Sequence, residues 1–96
     1  MEGVLMVQQT LHQLLQQASK SIQEAQVTAS EAQGSNEILL NQAVQLLLKG
    51  EQTLEKARHQ GGTEATENSQ FQQAYEQLHD TRQQLQEAQQ NNNDVL

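Results

Sequence analysis

Ile38-Leu39-Leu40-Asn41-Gln42-Ala43-Val44-Gln45-Leu46-Leu47-Leu48-Lys49-Gly50 is the most apolar stretch of this chain. Apolar residues at three- and four-residue steps continue beyond it to Leu54 and Ala57. At about 100° per residue most of them fill an arc of roughly 160°, the pattern of an amphipathic helix with more apolar surface than one neighbour can cover. A helix over 36–60 that touches two other helices fits that arc. Gly50 falls on its apolar side and admits two readings. It is either a tolerated defect, costing about 1 kcal/mol against Ala, or the site of a close helix contact or bend. The sequence favours the first.

The flanks of this stretch carry helix punctuation. Before it stands Gly34-Ser35-Asn36. Gly34 suits the left-handed position after a helix end, and Ser35 an N-cap with Glu37 in the first turn. After it stands Gln60-Gly61-Gly62-Thr63. Thr63 or Thr66 then caps a third helix, with Glu64 and Glu67 in its first turn.

Upstream, Val4, Val7, Leu11, Leu14, Leu15, Ala18, Ile22, Ala25, Ala29 and Ala32 mark a helix over 4–33 with a narrow apolar seam. Its second half is mostly Ala, which faces the bulky Leu39, Leu40, Val44 and Leu47 if the next helix turns back. Downstream, Phe71, Ala74, Leu78, Thr81, Leu85 and Ala88 step as a heptad within a helix over 64–90. The tail, Asn91 to Leu96, has no period and is expected to be disordered.

These signals predict an all-α fold, an antiparallel up-down-up three-helix bundle with short turns, forming one domain over 1–90. Its core is expected to be Leu11, Leu14, Ile22, Leu40, Val44, Leu47, Leu54, Phe71, Leu78 and Leu85. The runner-up is a longer helical hairpin that exposes apolar surface and dimerises. The absence of proline favours both, since proline breaks helix interiors.

Composition narrows the function. The chain has 96 residues, a net charge of -7 and five basic residues with no basic block. Nucleic acid and anionic membranes need clustered Lys and Arg, so neither is an expected partner. There is no cysteine, hence no disulfide and no thiolate metal site. No apolar run approaches the roughly 20 residues of a membrane span. The opening Met1 to Val7 lacks the basic region and long apolar core of a secretion signal, and the expected location is the cytoplasm. Hydrophobic residues make up 34% and aromatics 2%, a thin supply for a self-sufficient core.

Catalytic constellations are missing. No serine stands in a GxSxG setting, and Gly61-Gly62 lacks a phosphate-loop frame. One ExxH occurs, Glu76 to His79, but a di-iron bundle needs two such pairs. His12 and His59 fall near one end of an antiparallel pair, with Glu55 or Glu64 close by. They are the candidate metal or small-molecule ligands, set against the simpler reading of surface histidines. The expectation is a protein that is not an enzyme and uses no cofactor.

Glutamine makes up about a fifth of the chain, in runs of no more than two. It forms helices well, carries no charge, and both donates and accepts hydrogen bonds. Such faces serve as neutral solvated surface or as docking surface. The Gln- and Ala-rich heptads, the missing Pro and Cys, and the segment Leu85-Gln86-Glu87-Ala88-Gln89-Gln90 resemble small uncharacterised helical proteins of spore-forming bacteria. The resemblance implies a small cytoplasmic or spore-associated helical protein and transfers no functional residue.

The expected role is therefore a non-catalytic interaction or structural module that binds itself or another helical protein, a homo-oligomer by preference. A regulator that takes a partner's amphipathic helix is the rival. Leu5, Val27, Ile38 and Leu48 are the residues expected to remain exposed as an interaction surface. Leu47→Asp is expected to unfold the chain by placing an unpaired charge in the core. Circular dichroism checks this, and unchanged helicity and melting would contradict the core assignment.

Overall fold

The computed structural model describes residues 10–32 and 36–94, with side-chain environments as far as residue 90. These residues form four helices and no strand: α1 (Leu11–Ala32), α2 (Glu37–Gly61), α3 (Thr63–Thr66) and α4 (Ser69–Asp94). The fold is all-α.

Local hydrogen bonds set the ends, at places that differ from those expected. Thr10 Oγ1 accepts from the Gln13 backbone N–H at 3.1 Å, and Gln13 Oε1 accepts from the Thr10 N–H at 3.1 Å. This reciprocal capping box starts α1 at Leu11 rather than at Val4; Val4 to Gln9 lie outside the described residues. The N-cap of α2 is Asn36 rather than Ser35, its Oδ1 accepting from the Leu39 N–H at 3.2 Å. Gly34 and Ser35 lie outside the described residues.

The two glycines of the second break do different work. Gly62 has φ +58°, a conformation that disfavours any side chain, and its N–H closes α2 on the Arg58 carbonyl at 2.8 Å. Gly61 makes room: a Cβ there would stand 2.9 Å from Ala65 Cβ and 3.3 Å from Leu11 Cδ1. Ala65 on the one-turn α3 thereby reaches the core, fully buried.

The expected third helix is divided. Neither Thr63 nor Thr66 caps it. The chain turns at Glu67 and Asn68, and Asn68 Oδ1 accepts from the Gln70 N–H at 2.8 Å at the start of α4. At the other end the helix continues to Asp94, so Asn91 to Asp94 are helical backbone and not the disordered tail expected. Asn is a modest helix former, but no Gly or Pro interrupts the run, and each added residue gains one backbone bond. Val95 and Leu96 lie outside the described residues.

Packing follows one rule in three helices. Residues 15–32, 40–57 and 71–88 open as Leu-Gln-Gln-Ala, Leu-Asn-Gln-Ala and Phe-Gln-Gln-Ala, and each closes on Ala. Within each, one seam position takes bulk every seven residues: Leu15, Ile22 and Ala29; Leu40, Leu47 and Leu54; Phe71, Leu78 and Leu85. Three residues further on, a second takes small side chains: Ala18, Ala25 and Ala32; Ala43, Gly50 and Ala57; Ala74, Thr81 and Ala88. All are buried except half-buried Ala88. Ala29 is the one departure in the bulky series. Burial of each Leu, Ile or Phe contributes about 1.5–3 kcal/mol, and the small residues let helix backbones come close enough for that burial.

α1 and α2 share the largest interface, and α4 touches both over less surface. Gly61 lies beside Leu11, and Gly50 beside Ala18 and Ile22, so numbers fall along α2 as they rise along α1. Two expected core residues, Leu11 and Val44, are only half-buried and pack on the edge of the core. Leu15 and the seam alanines belong to it instead.

Gly50 corrects the reading favoured from sequence. It is buried, and a Cβ there would meet Ile22 Cγ1 at 2.7 Å and the Ala18 carbonyl at 3.4 Å. This is a close helix contact, not a tolerated defect. Gly50→Ala is expected to destabilise by about 1–3 kcal/mol through overpacking. In an Ile22→Ala background the same change should instead stabilise, by up to about 1 kcal/mol of helix propensity. Denaturant melts of the four chains check this; the same sign in both backgrounds would contradict the contact.

Candidate interaction surface

Three of the four expected interaction residues take a definite place. Val27 is 58% exposed, Ile38 71% and Leu48 45%. Leu5 lies outside the described residues. Val27 does not stand alone: with Lys20, Gln23, Glu24 and Thr28 of α1 and Leu46 of α2 it lines a shallow depression along the α1–α2 junction. A second depression, lined by Gln17, Lys20, Ser21, Glu24, Lys49 and Thr53, shares Lys20 and Glu24 with the first. The two make one strip, apolar at the Val27 and Leu46 end and polar at the other. Leu48 follows Leu46 by two residues, roughly 200° further around the helix, so it points away from the strip. The structure thus brings Val27 together with Leu46 and leaves Leu48 on another face. Periodicity alone places Leu46 in the apolar arc of α2.

α4 adds an apolar surface residue, Tyr75, whose spacing predicts only that it widens the apolar stripe. Tyr75 is 55% exposed and stacks on buried Phe71 with ring centroids 5.9 Å apart. With Glu76, Leu78, His79, Asp80 and Arg82 it lines a surface hollow. The signal was available, because Tyr75 stands one residue beyond seam position Ala74 and therefore at the seam's edge.

Polar links between elements are few and peripheral among those resolved. Arg82 pairs with Glu51 at 2.7 Å, joining α4 to α2, with both side chains over a third exposed. Gln84 Nε2 donates to Ser30 Oγ at 3.4 Å, joining α4 to α1. Arg58 pairs with Glu55 within α2. Exposed pairs of this kind contribute about 0–1 kcal/mol each.

His12 and His59 both lie on the exposed surface, at the end of the molecule where Leu11 meets Gly61. Among the described residues no three His, Cys, Asp or Glu side chains converge as an ion site. No described helix is long and apolar enough to cross a membrane.

The buried face of α4 holds an irregularity. Thr81 is 0% exposed, and among the described residues its Oγ1 has no hydrogen-bond partner; neither does the buried Oε1 of Gln77, one turn earlier. At the matching position of the repeat α1 has Ala25 and α2 has Gly50, neither with a polar side-chain atom. Leaving such a group unpaired costs about 1–3 kcal/mol.

No family model, curated protein or solved structure matches this chain.

Thr81→Val keeps the side-chain shape and removes the unpaired hydroxyl. It is expected to raise stability by about 1 kcal/mol or more, read as a higher denaturant midpoint at unchanged slope. A loss of stability would show that the hydroxyl is satisfied in solution.

Proposed function

We propose that this protein is a non-catalytic helical interaction module that self-associates. In this reading α1, α2 and the α3–α4 segment form an antiparallel up-down-up bundle. The contacts of Leu11 with Gly61, Ile22 with Gly50, Glu51 with Arg82 and Ser30 with Gln84 support that course. The reading places the protein in the cytoplasm, in keeping with its resemblance to helical proteins of spore formers.

One observation carries the reading. The strip along α1 and α2 exposes Val27 beside Leu46, flanked by charges of both signs in Lys20 and Glu24. An apolar centre with a polar rim is how association surfaces are built. Opposite charges on one face suit a second copy, since a two-fold contact sets the same patch against itself. Ile38 and Leu48 extend the exposed apolar surface to other faces of α2. The same strip also has the form of a shallow groove between two helices, so a partner's amphipathic helix is the second reading.

Light scattering over a concentration series tests the proposal. The chain is expected to reach dimer mass, and Val27→Lys to hold it at monomer mass. Because Val27 is exposed, that substitution should leave unfolding stability of the separated chain within about 0.5 kcal/mol. Monomer mass throughout would overturn self-association and turn attention to a foreign helix.

A further inference from the structure

We propose that α4 is an exchangeable helix: in the self-associated form, α4 of one copy seats on the α1–α2 hairpin of the other. This rests on the self-association reading and names how the copies become tied together.

The chain contains its own cognate helix. Residues 71–88 repeat the bulky and small seam of 15–32 and 40–57, with Ala29 the one departure in the bulky series. A second copy therefore offers the hairpin a helix that fits it as its own does. Exchange reproduces every contact of the closed chain, which makes it a low-cost route to a dimer.

The joint that would open is also the weakest one. Thr81, fully buried, and the buried end of Gln77 present oxygens without a partner among the described residues where α4 lies on the hairpin, while α1 and α2 have Ala25 and Gly50 at the place matching Thr81, and Ser21 and Leu46 at the place matching Gln77. Release gives both oxygens access to water, so this seam loses less on opening than one lined by apolar side chains alone. The resolved polar ties from α4 to the hairpin, Arg82 to Glu51 and Gln84 to Ser30, are exposed and readily exchanged for water.

The connection allows the movement. Gly62, with φ +58°, and the turn at Glu67 and Asn68 flank the one-turn α3. Rotation at Glu67 and Asn68 swings α4 away and leaves Ala65 seated against α1 and α2. Once two copies are docked, the local concentration of the second α4 reaches the order of millimolar, comparable with that of the tethered one.

The absence of cysteine makes a direct test clean. Glu51→Cys and Arg82→Cys are made in separate full-length chains, mixed in equal amounts and treated with a short bismaleimide. A covalent adduct joining the two different chains is expected, because residue 51 of one copy then lies beside residue 82 of the other. Ser30→Cys mixed with Gln84→Cys gives an independent pair if either of the first variants folds poorly. Thr81→Val in both chains is expected to slow adduct formation about tenfold. A dimer by light scattering with no mixed adduct from either pair would overturn exchange and leave self-association standing. A monomer at every concentration would overturn both. A mixed adduct that forms at the same rate with Thr81→Val would overturn the assignment of that seam as the point of release.

Discussion

The close approach of α1 and α2 is the constraint on which the rest of the molecule depends. Ile22 can lie against α2 only because Gly50 has no side chain, and the alanines at 18, 25, 43 and 57 continue that small surface along the pair. Close backbones let Leu14, Leu15, Leu47 and Leu54 reach full or nearly full burial in a chain with only 34% hydrophobic residues. A wider gap would leave the same side chains partly wet, and too little apolar area would be buried to offset the entropy of ordering the helices. The thin composition is thus compatible with a folded chain because the small residues are placed at one seam position, seven residues apart.

α4 relates to this pair as an addition. It follows the same repeat, yet it brings Thr81 to the small series and leaves two buried oxygens without partners among the described residues. It spends much of its length on glutamine, and its resolved polar links to the hairpin are exposed. The glycine at 61 and the turn at Asn68 seat α3 and set the point from which α4 departs. A larger interface within the hairpin than between it and α4 fits the proposed exchange of α4. Under the proposed self-association, the exposed strip at Val27 and Leu46 gives the first contact and α4 supplies a second one.

Much of this was legible in the sequence. Helical spacing marked three amphipathic segments, and the break at Gly61-Gly62 closed the second of them. The seam of α4 could be read directly as a heptad. The misses have physical causes. Caps depend on which side chain can reach a free N–H; Asn36 and Asn68 do so at the starts of α2 and α4, and Thr63 does not. Gly50 looked like a defect because propensity is local, whereas the reason for it, Ile22, lies on another helix. The repeat shared by three helices was hidden because its bulky series holds Ala29 and its small series holds Gly50 and Thr81. Of the surface residues, Val27, Ile38 and Leu48 are exposed, but periodicity on one helix could not reveal that Val27 shares a strip with Leu46. That requires the register between α1 and α2.

Native-state hydrogen exchange followed by NMR over a range of low denaturant tests the central claim most directly. It assigns an opening free energy to each amide and separates local release from global unfolding. The slowest amides are predicted in α1 and α2 around Ala18 to Ala25 and Ala43 to Leu54, opening only with the whole molecule. Amides of α4 from Phe71 to Leu85 are predicted to form a separate group that opens at lower free energy. A single common free energy across α1, α2 and α4, or slower exchange in α4 than in the hairpin, would contradict the account.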